Sequence, residues 1–110
     1  MNSESKKDIL EKLFLVLEDR KVNPSENSYV ASLYRDGNNK INEKIIEEAH
    51  EYIEAIKNSE KGSIIHEAAD LWFHTLVSLA LNDLTASDIL EELERRFGKS
   101  GIEEKASREK

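Results

Sequence analysis

Apolar residues recur at helical spacing along most of the chain, and residues 64–81, IIHEAADLWFHTLVSLAL, form the most apolar stretch. At about 100° per residue, as an α-helix requires, apolar side chains cover most of its circumference. One arc of roughly 120° is the exception, and it carries His66, Glu67, Asp70, His74 and Ser78. A helix that is apolar on so wide an arc normally packs on several sides. We therefore predict a buried central helix whose polar arc faces an environment that accommodates charge.

The first forty residues predict a helix, a break and a short helical turn. Ser5–Arg20 is amphipathic and predicts a first helix that packs on the core. The only proline lies among turn-forming residues, so we expect the chain to break between residues 21 and 28. The segment SYVASLYR then suits a short helical turn, which Gly37 ends.

A second strong helix, from Asn39 or Lys40 to Asn58, precedes the central helix. Its apolar residues lie on one face, as Ile41, Ile45, Ile46, Ala49, Tyr52, Ile53 and Ile56. Residues 58–63 form a short connection in which Ser63 is positioned to cap the central helix. So short a connection predicts that the two helices are antiparallel neighbours.

The end of the chain predicts one more helix and a tail. Thr85, with Asp88 three residues later, resembles a variant capping box for a helix over Ala86–Phe97, which Gly98 ends. Residues from about 98 to 110 form a polar tail, and no stretch predicts a strand. The expected fold is therefore all-α, a bundle of four to five helices in a single domain over residues 1–110, with antiparallel central helices.

Composition excludes several classes of protein. The net charge of −7 argues against nonspecific binding of nucleic acid, which requires a basic surface. The absence of cysteine excludes disulfides, thiol catalysis and thiolate zinc sites. The N-terminal residues contain no long apolar run, so we expect neither a signal peptide nor a membrane span, and a cytoplasmic location.

Two pairs of carboxylates lie on the two central helices. Glu48 and Glu51 share one helix face, as do Glu67 and Asp70, because residues three or four apart are neighbours on a helix. If the helices meet there, about four carboxylates converge, which is unfavourable unless a cation neutralises them. Oxygen ligands on a rigid scaffold suit Mg²⁺ or Mn²⁺ better than zinc or copper.

Simpler interpretations of the same residues remain open. The pattern EExxE is common on solvated helix faces, and an ion pair between Lys44 and a neighbouring glutamate is worth only about 0.3–0.5 kcal/mol. Lys40 and Lys44 are either solvated ion-pair partners or contacts for substrate phosphates. A histidine on such an arc more often forms hydrogen bonds in the core than binds metal. His66 and His74 are therefore weaker candidates, although His74, one turn from Asp70, could orient that carboxylate or contact substrate phosphate.

Several segments resemble the phosphoribosyl-ATP pyrophosphohydrolase family, which lies within the all-α (MazG-like) NTP pyrophosphatase superfamily. The resemblance rests on KINEKIIEEAHEYIEA and HEAADLWFHTLVSLALNDLTASDILEELERR, with SYVASLYRDGNNK upstream and SGIEEKASR at the end, roughly residues 28–108. EExxE followed by ExxD is the signature of the superfamily. SYVASL together with EAADLWFH limits the resemblance to the phosphoribosyl-ATP pyrophosphohydrolase family. Ile46 stands where many relatives have glycine, and Trp72-Phe73 where they often have Leu-Tyr.

The resemblance implies Mg²⁺-dependent hydrolysis of phosphoribosyl-ATP to phosphoribosyl-AMP and pyrophosphate, the second step of histidine biosynthesis. It implies that Glu48, Glu51, Glu67 and Asp70 bind the metal and that Glu47 is a further ligand or the base. It also implies a dimer or larger assembly. The cyclohydrolase that is fused to this enzyme in some relatives needs cysteine-bound zinc, so we expect a stand-alone enzyme.

Two other functions compete with this one. A house-cleaning pyrophosphatase of the same superfamily would share the acids but act on dUTP or damaged nucleotides. A non-enzymatic helical interaction module would carry the acids merely as surface, and it would neither bind magnesium nor release pyrophosphate.

The apolar surface of the central helix predicts a homodimer. One pair of neighbouring helices cannot readily cover it, and a stripe of Trp72, Leu76 and Leu79 would remain as a larger exposed patch than monomers usually tolerate. A two-fold dimer would cover this stripe with a self-complementary surface.

Overall fold

The computed structural model describes residues 9–25 and 28–97, and all regular secondary structure in these residues is helical. The helices are α1 (Ile9–Val22), α2 (Tyr29–Asp36), α3 (Asn38–Asn58), α4 (Lys61–Leu81) and α5 (Ala86–Arg96). The prediction of an all-α fold with four to five helices is confirmed. The predicted start of the first helix at Ser5 and the polar tail lie outside the described residues. Within the described ranges, no helix is long and apolar enough to cross a membrane.

Gly37 joins α2 directly to α3. The hydroxyl of Ser28 accepts a hydrogen bond from the main-chain N–H of Ala31 at 3.1 Å and so caps the start of α2. Gly37 has a φ of 85°, in the left-handed region that favours glycine, and it ends α2 as predicted. Since one residue completes the change of direction, α3 begins at Asn38, slightly earlier than predicted.

The connection between α3 and α4 is shorter than predicted. Ser59 adopts a left-handed φ of 57°, and its N–H donates to the main-chain oxygen of Ile56 at 3.1 Å. α4 then begins at Lys61 with Glu60 at its N-cap. The prediction that Ser63 caps this helix is wrong, because the left-handed residue reverses the chain first and leaves Ser63 in the first turn. The two helices pack together and, since two residues join them, run antiparallel as predicted.

The predicted capping box at the start of α5 is confirmed. The main-chain N–H of Asp88 donates to the Thr85 hydroxyl at 3.1 Å, and the Asp88 carboxylate accepts from the main-chain N–H of Thr85 at 2.9 Å. α5 ends at Arg96, one residue before the predicted end, and Phe97 is its C-cap. Gly98 lies outside the described residues.

The hydrophobic core lies at one end of the α3–α4 pair, where α1, α2 and α5 join it. Its buried residues are Phe14, Leu17, Leu33, Ile41, Leu76, Val77, Ala80 and Ala86. Leu76 is therefore covered within the chain and Leu79 packs against the core, so the prediction that both are uncovered is wrong. α1 covers this part of α4, whereas Trp72 remains 62% exposed.

Tyr34 ties α2 to α1 and provides a pH test of the packing. Its hydroxyl donates to the main-chain oxygen of Leu17 at 2.9 Å, and burial, with a smaller contribution from Glu18, raises its pKa to about 12. An unfolded phenol ionises near pH 10, so the stabilisation is complete below about pH 10 and is lost as the pH rises towards 12.

We therefore expect Tyr34→Phe to be less stable than the wild type by about 1 kcal/mol near pH 9, with a smaller difference near pH 11. Urea unfolding at the two pH values measures this. A stability difference that does not shrink would contradict the assigned role of the Tyr34 hydroxyl.

Candidate functional site

α3 and α4 bring the four predicted metal-binding carboxylates into one cluster. Glu48, Glu51 and Glu67 each offer a carboxylate oxygen, and these atoms all lie within 4.8 Å of one another. Glu67 and Asp70 form a second such group with His66. Because Glu67 belongs to both groups, the acids of α3 and α4 form a single cluster. We call Glu48, Glu51, Glu67 and Asp70 the acidic cluster.

The acidic cluster is electrostatically unfavourable without a counterion. Glu48 is only 6% exposed, and one of its carboxylate oxygens, Oε2, has no hydrogen-bond partner among the residues that the structure describes. Burial raises the pKa of Glu48, and the charges of Glu51 and Asp70 raise it further. Oε2 of Glu67 is also buried and has no partner within the described ranges. A side-chain hydrogen bond with Glu51 is the main cause of the raised pKa of Glu67, and burial adds to it.

These carboxylates fit a hard divalent cation. A buried carboxylate oxygen without a partner is costly, and either a proton or a cation must offset its charge. Several oxygen donors that converge from two packed helices form the ligand type that Mg²⁺ and Mn²⁺ prefer. His66 lies at the exposed side, with Nε2 3.2 Å from Oδ2 of Asp70, so it orients that carboxylate.

Of the other predicted residues of α3, Lys44 and Glu47 lie at the border of the acidic cluster, whereas Lys40 contacts Glu43 further from it. Nζ of Lys44 is 3.1 Å from Oε2 of Glu47 and 3.8 Å from Oε1 of Glu48. The hydrogen bond to Glu47 is the main cause of the raised pKa of Lys44, so a cation stays beside the carboxylates. Glu47 is more exposed than Glu48, and Lys40, one turn earlier, pairs with Glu43 at 3.8 Å on the surface.

His74 is buried behind the acidic cluster, with both ring nitrogens engaged. Its Nδ1 lies 2.8 Å from the main-chain oxygen of Asp70. Because a carbonyl only accepts, Nδ1 carries the hydrogen and donates. Nε2 lies 2.8 Å from the hydroxyl of Tyr29, and in the neutral ring it accepts from that hydroxyl. His74 is only 5% exposed, so a substrate does not reach it without displacing Tyr29.

Tyr29 is a site residue that periodicity and spacing did not reveal. Burial raises the pKa of its phenol, Lys44 opposes this shift, and Glu48 and Glu47 add to it. The phenol therefore lies within electrostatic reach of the acidic cluster. The available signal was SYVASL, which served only to narrow the family resemblance and carried no chemical role.

Comparison with known proteins identifies the family of this chain. A family model described as phosphoribosyl-ATP pyrophosphohydrolase matches residues 10–97. The chain belongs to the phosphoribosyl-ATP pyrophosphohydrolase family. The matched range contains the whole acidic cluster and the residues at its border.

Individual relatives of the family are similar along most of this chain. It is 52% identical over 101 residues to phosphoribosyl-ATP pyrophosphatase of Methylococcus capsulatus, which covers 92% of this chain and 96% of the relative. It is 50% identical over 103 residues to the Geotalea daltonii protein of the same name, covering 94% and 97%. The histidine biosynthesis bifunctional protein HisIE of Helicobacter hepaticus is 51% identical over 100 residues, which are 91% of this chain but 43% of that protein.

Proposed function

We propose that this protein hydrolyses the α,β phosphoanhydride of phosphoribosyl-ATP to phosphoribosyl-AMP and pyrophosphate, a step of histidine biosynthesis. The observation that carries the proposal is the convergence of Glu48, Glu51, Glu67 and Asp70 between α3 and α4, where two buried oxygens lack partners in the described part of the chain. The names of relatives that are about half identical over nearly their whole length support phosphoribosyl-ATP as the substrate.

We further propose that the acidic cluster holds Mg²⁺, with Mn²⁺ as a possible substitute, through Glu48, Glu51, Glu67 and Asp70. A divalent cation there supplies charge that offsets the phosphate oxygens and makes a nearby water more acidic. Burial of Glu48 keeps its ligand oxygens in place between two packed helices, and His66 contacts Asp70 from the exposed side.

The residues at the border have separate roles in the proposed reaction. A water oxygen bonds to one phosphorus of the α,β bridge and the bond from that phosphorus to the bridging oxygen breaks, so that phosphoribosyl-AMP and pyrophosphate separate. Glu47 accepts the proton of the water, and Lys44 at 3.1 Å orients its carboxylate. Lys44 and Lys40 supply positive charge for the phosphates. We assign His74 to substrate binding through its partner Tyr29, because its own nitrogens are engaged.

A panel of substrates tests the function. We expect phosphoribosyl-ATP to exceed dUTP and other nucleoside triphosphates by about 100-fold or more in kcat/KM. The reverse preference would support a house-cleaning pyrophosphatase, and no pyrophosphate release from any substrate would support a helical interaction module. Complementation of a histidine auxotroph that lacks this step gives an independent answer.

Addition of Mg²⁺ tests the cofactor. After treatment with a chelator, we expect the protein to lose activity and to recover it with MgCl₂. Because Mg²⁺ binds the folded state, at 100 times its Kd it should stabilise the wild type by about 2.7 kcal/mol, measured as a higher Tm. Full activity in excess chelator, with no change in Tm on adding Mg²⁺, would contradict the metal assignment.

We also propose a homodimer. Large apolar side chains on α3 and α4 remain exposed away from the core, namely Ile46, Ile53, Ile56, Ile65 and Trp72. Because both helices of the pair carry them, a second copy that presents the same surface would complete a helical bundle.

A further inference from the structure

Tyr29 presents a fixed aromatic ring beside the acidic cluster. Its hydroxyl lies 2.8 Å from Nε2 of His74, and the two rings are nearly perpendicular, at 85° with centroids 5.8 Å apart. Contact through the hydroxyl at this angle uses an edge of the tyrosine ring, so His74 does not cover its faces. Tyr29 as a residue is 49% exposed although its hydroxyl is engaged, so it keeps surface that a ligand can contact.

His74, the hydrogen-bond partner of Tyr29, is itself buried and held by contacts within α4. His74 is 5% exposed, donates from Nδ1 to the main-chain oxygen of Asp70, and meets the ring of Phe73 edge-on at 5.4 Å. The hydrogen-bonded series from Tyr29 through His74 to Asp70 therefore joins α2 to the main chain of an acid in the cluster. The orientation of the tyrosine ring is set relative to that acid.

An oriented, half-exposed aromatic ring suits a planar base. Aromatic side chains stack on nucleobases, and a ring that is already fixed loses little conformational freedom on binding. In phosphoribosyl-ATP, one ribose separates the adenine from the α-phosphate, and the α-phosphate is part of the bond that is cleaved. The hydrogen bonds that run from the Tyr29 hydroxyl through His74 end on Asp70, an acid of the cluster, so the ring and the cluster are near enough for one substrate to contact both.

We propose that Tyr29 stacks on the adenine of the substrate and that His74 is a positioning residue that fixes the tyrosine ring. The proposal rests on the proposed function. In this proposal, α2 determines specificity for the base, and the acidic cluster with Lys44 and Glu47 contacts the phosphates.

Two substitutions of Tyr29 separate the ring from the hydroxyl. Tyr29→Leu removes the aromatic ring, and we expect the KM for phosphoribosyl-ATP to rise about tenfold or more while kcat changes less. Tyr29→Phe keeps the ring, and we expect its KM to rise only about threefold. If the KM of Tyr29→Phe rises as much as that of Tyr29→Leu, the hydroxyl is responsible for the effect and the stacking proposal is wrong.

Product inhibition separates a contact with the base from a general disturbance of the site. AMP carries the base and pyrophosphate does not. In Tyr29→Leu, inhibition of phosphoribosyl-ATP hydrolysis by AMP should weaken about tenfold or more, and inhibition by pyrophosphate should change less than about twofold. Equal weakening of both, or of neither, would overturn the proposal. Phe97→Leu is the matched control, since this exposed aromatic residue follows α5 and should leave both inhibition constants unchanged.

A double-mutant cycle tests the role of His74. Since His74 acts through its bond to Tyr29, His74→Leu should raise KM about as much as Tyr29→Phe, and the double variant should be no worse than either single variant. Additive effects would show that His74 does not act through Tyr29 and would overturn its assignment. Wild-type protein that does not hydrolyse phosphoribosyl-ATP would instead refute the proposed function, which is a separate outcome.

Discussion

Glu48→Gln should lower kcat/KM for phosphoribosyl-ATP about 1,000-fold or more, yet melt a few degrees above the wild type in metal-free buffer. The amide keeps the shape of the side chain but removes the negative charge of a residue that is only 6% exposed. Without metal, that charge faces Glu51 and Asp70, which together with burial raise its pKa. Its removal relieves repulsion in the apo protein and removes a proposed metal ligand.

Thermal melts with and without MgCl₂, beside the kinetic assay, measure both effects. The wild type should gain stability from Mg²⁺ and Glu48→Gln should gain much less. Asp70→Asn should behave in the same way. Glu91→Gln is the matched control, because this exposed glutamate lies on α5, which packs against α1. Near wild-type activity of Glu48→Gln in Mg²⁺ would show that the ligands are wrongly assigned.

The helices were predictable where local chemistry decides their ends. Gly37 ended α2 because its left-handed φ suits glycine, and Thr85 with Asp88 capped α5 by bonds between residues three apart. The start of α4 was not predictable in the same way. Ser59 takes a left-handed φ that serine seldom adopts, and this moved the start of α4 to Lys61.

The acidic cluster was predictable because two local rules combine. Spacings of three place Glu48 with Glu51 and Glu67 with Asp70, and a short connection makes their helices antiparallel neighbours. The contact between Tyr29 and His74 joins residues 45 positions apart. Its existence depends on how α2 packs against α4, and no periodicity within either helix encodes that.

Periodicity also did not determine which apolar residues the chain itself covers. The predicted apolar face of α3 includes Ile46 and Ile53, yet both are exposed, while Glu48 and Ala55 are buried on the side towards α4. A pattern of apolar residues shows that a face avoids water, but it does not say whether the same chain or a second copy covers that face.

Charged substitutions on the exposed apolar face of α3 and α4 should change the oligomeric state of the protein. We expect the wild type to be a dimer by light scattering at micromolar concentration, and Ile53→Lys or Trp72→Glu to be folded monomers. Both side chains are more than half exposed within one chain, so a charge there is tolerated in the monomer. In an apolar interface between two copies, the same charge would be buried without a partner, at a cost of several kcal/mol.

Two further variants make the result specific. Leu15→Lys is the matched control, because Leu15 on α1 is 70% exposed but lies outside the α3–α4 face, and this variant should remain a dimer. Leu76→Lys should unfold or aggregate, since Leu76 belongs to the core of the chain itself. A monomeric wild type would exclude the dimer. Dimers that persist in both Ile53→Lys and Trp72→Glu would place the interface on another surface, because an isologous contact repeats every unfavourable charge on both subunits.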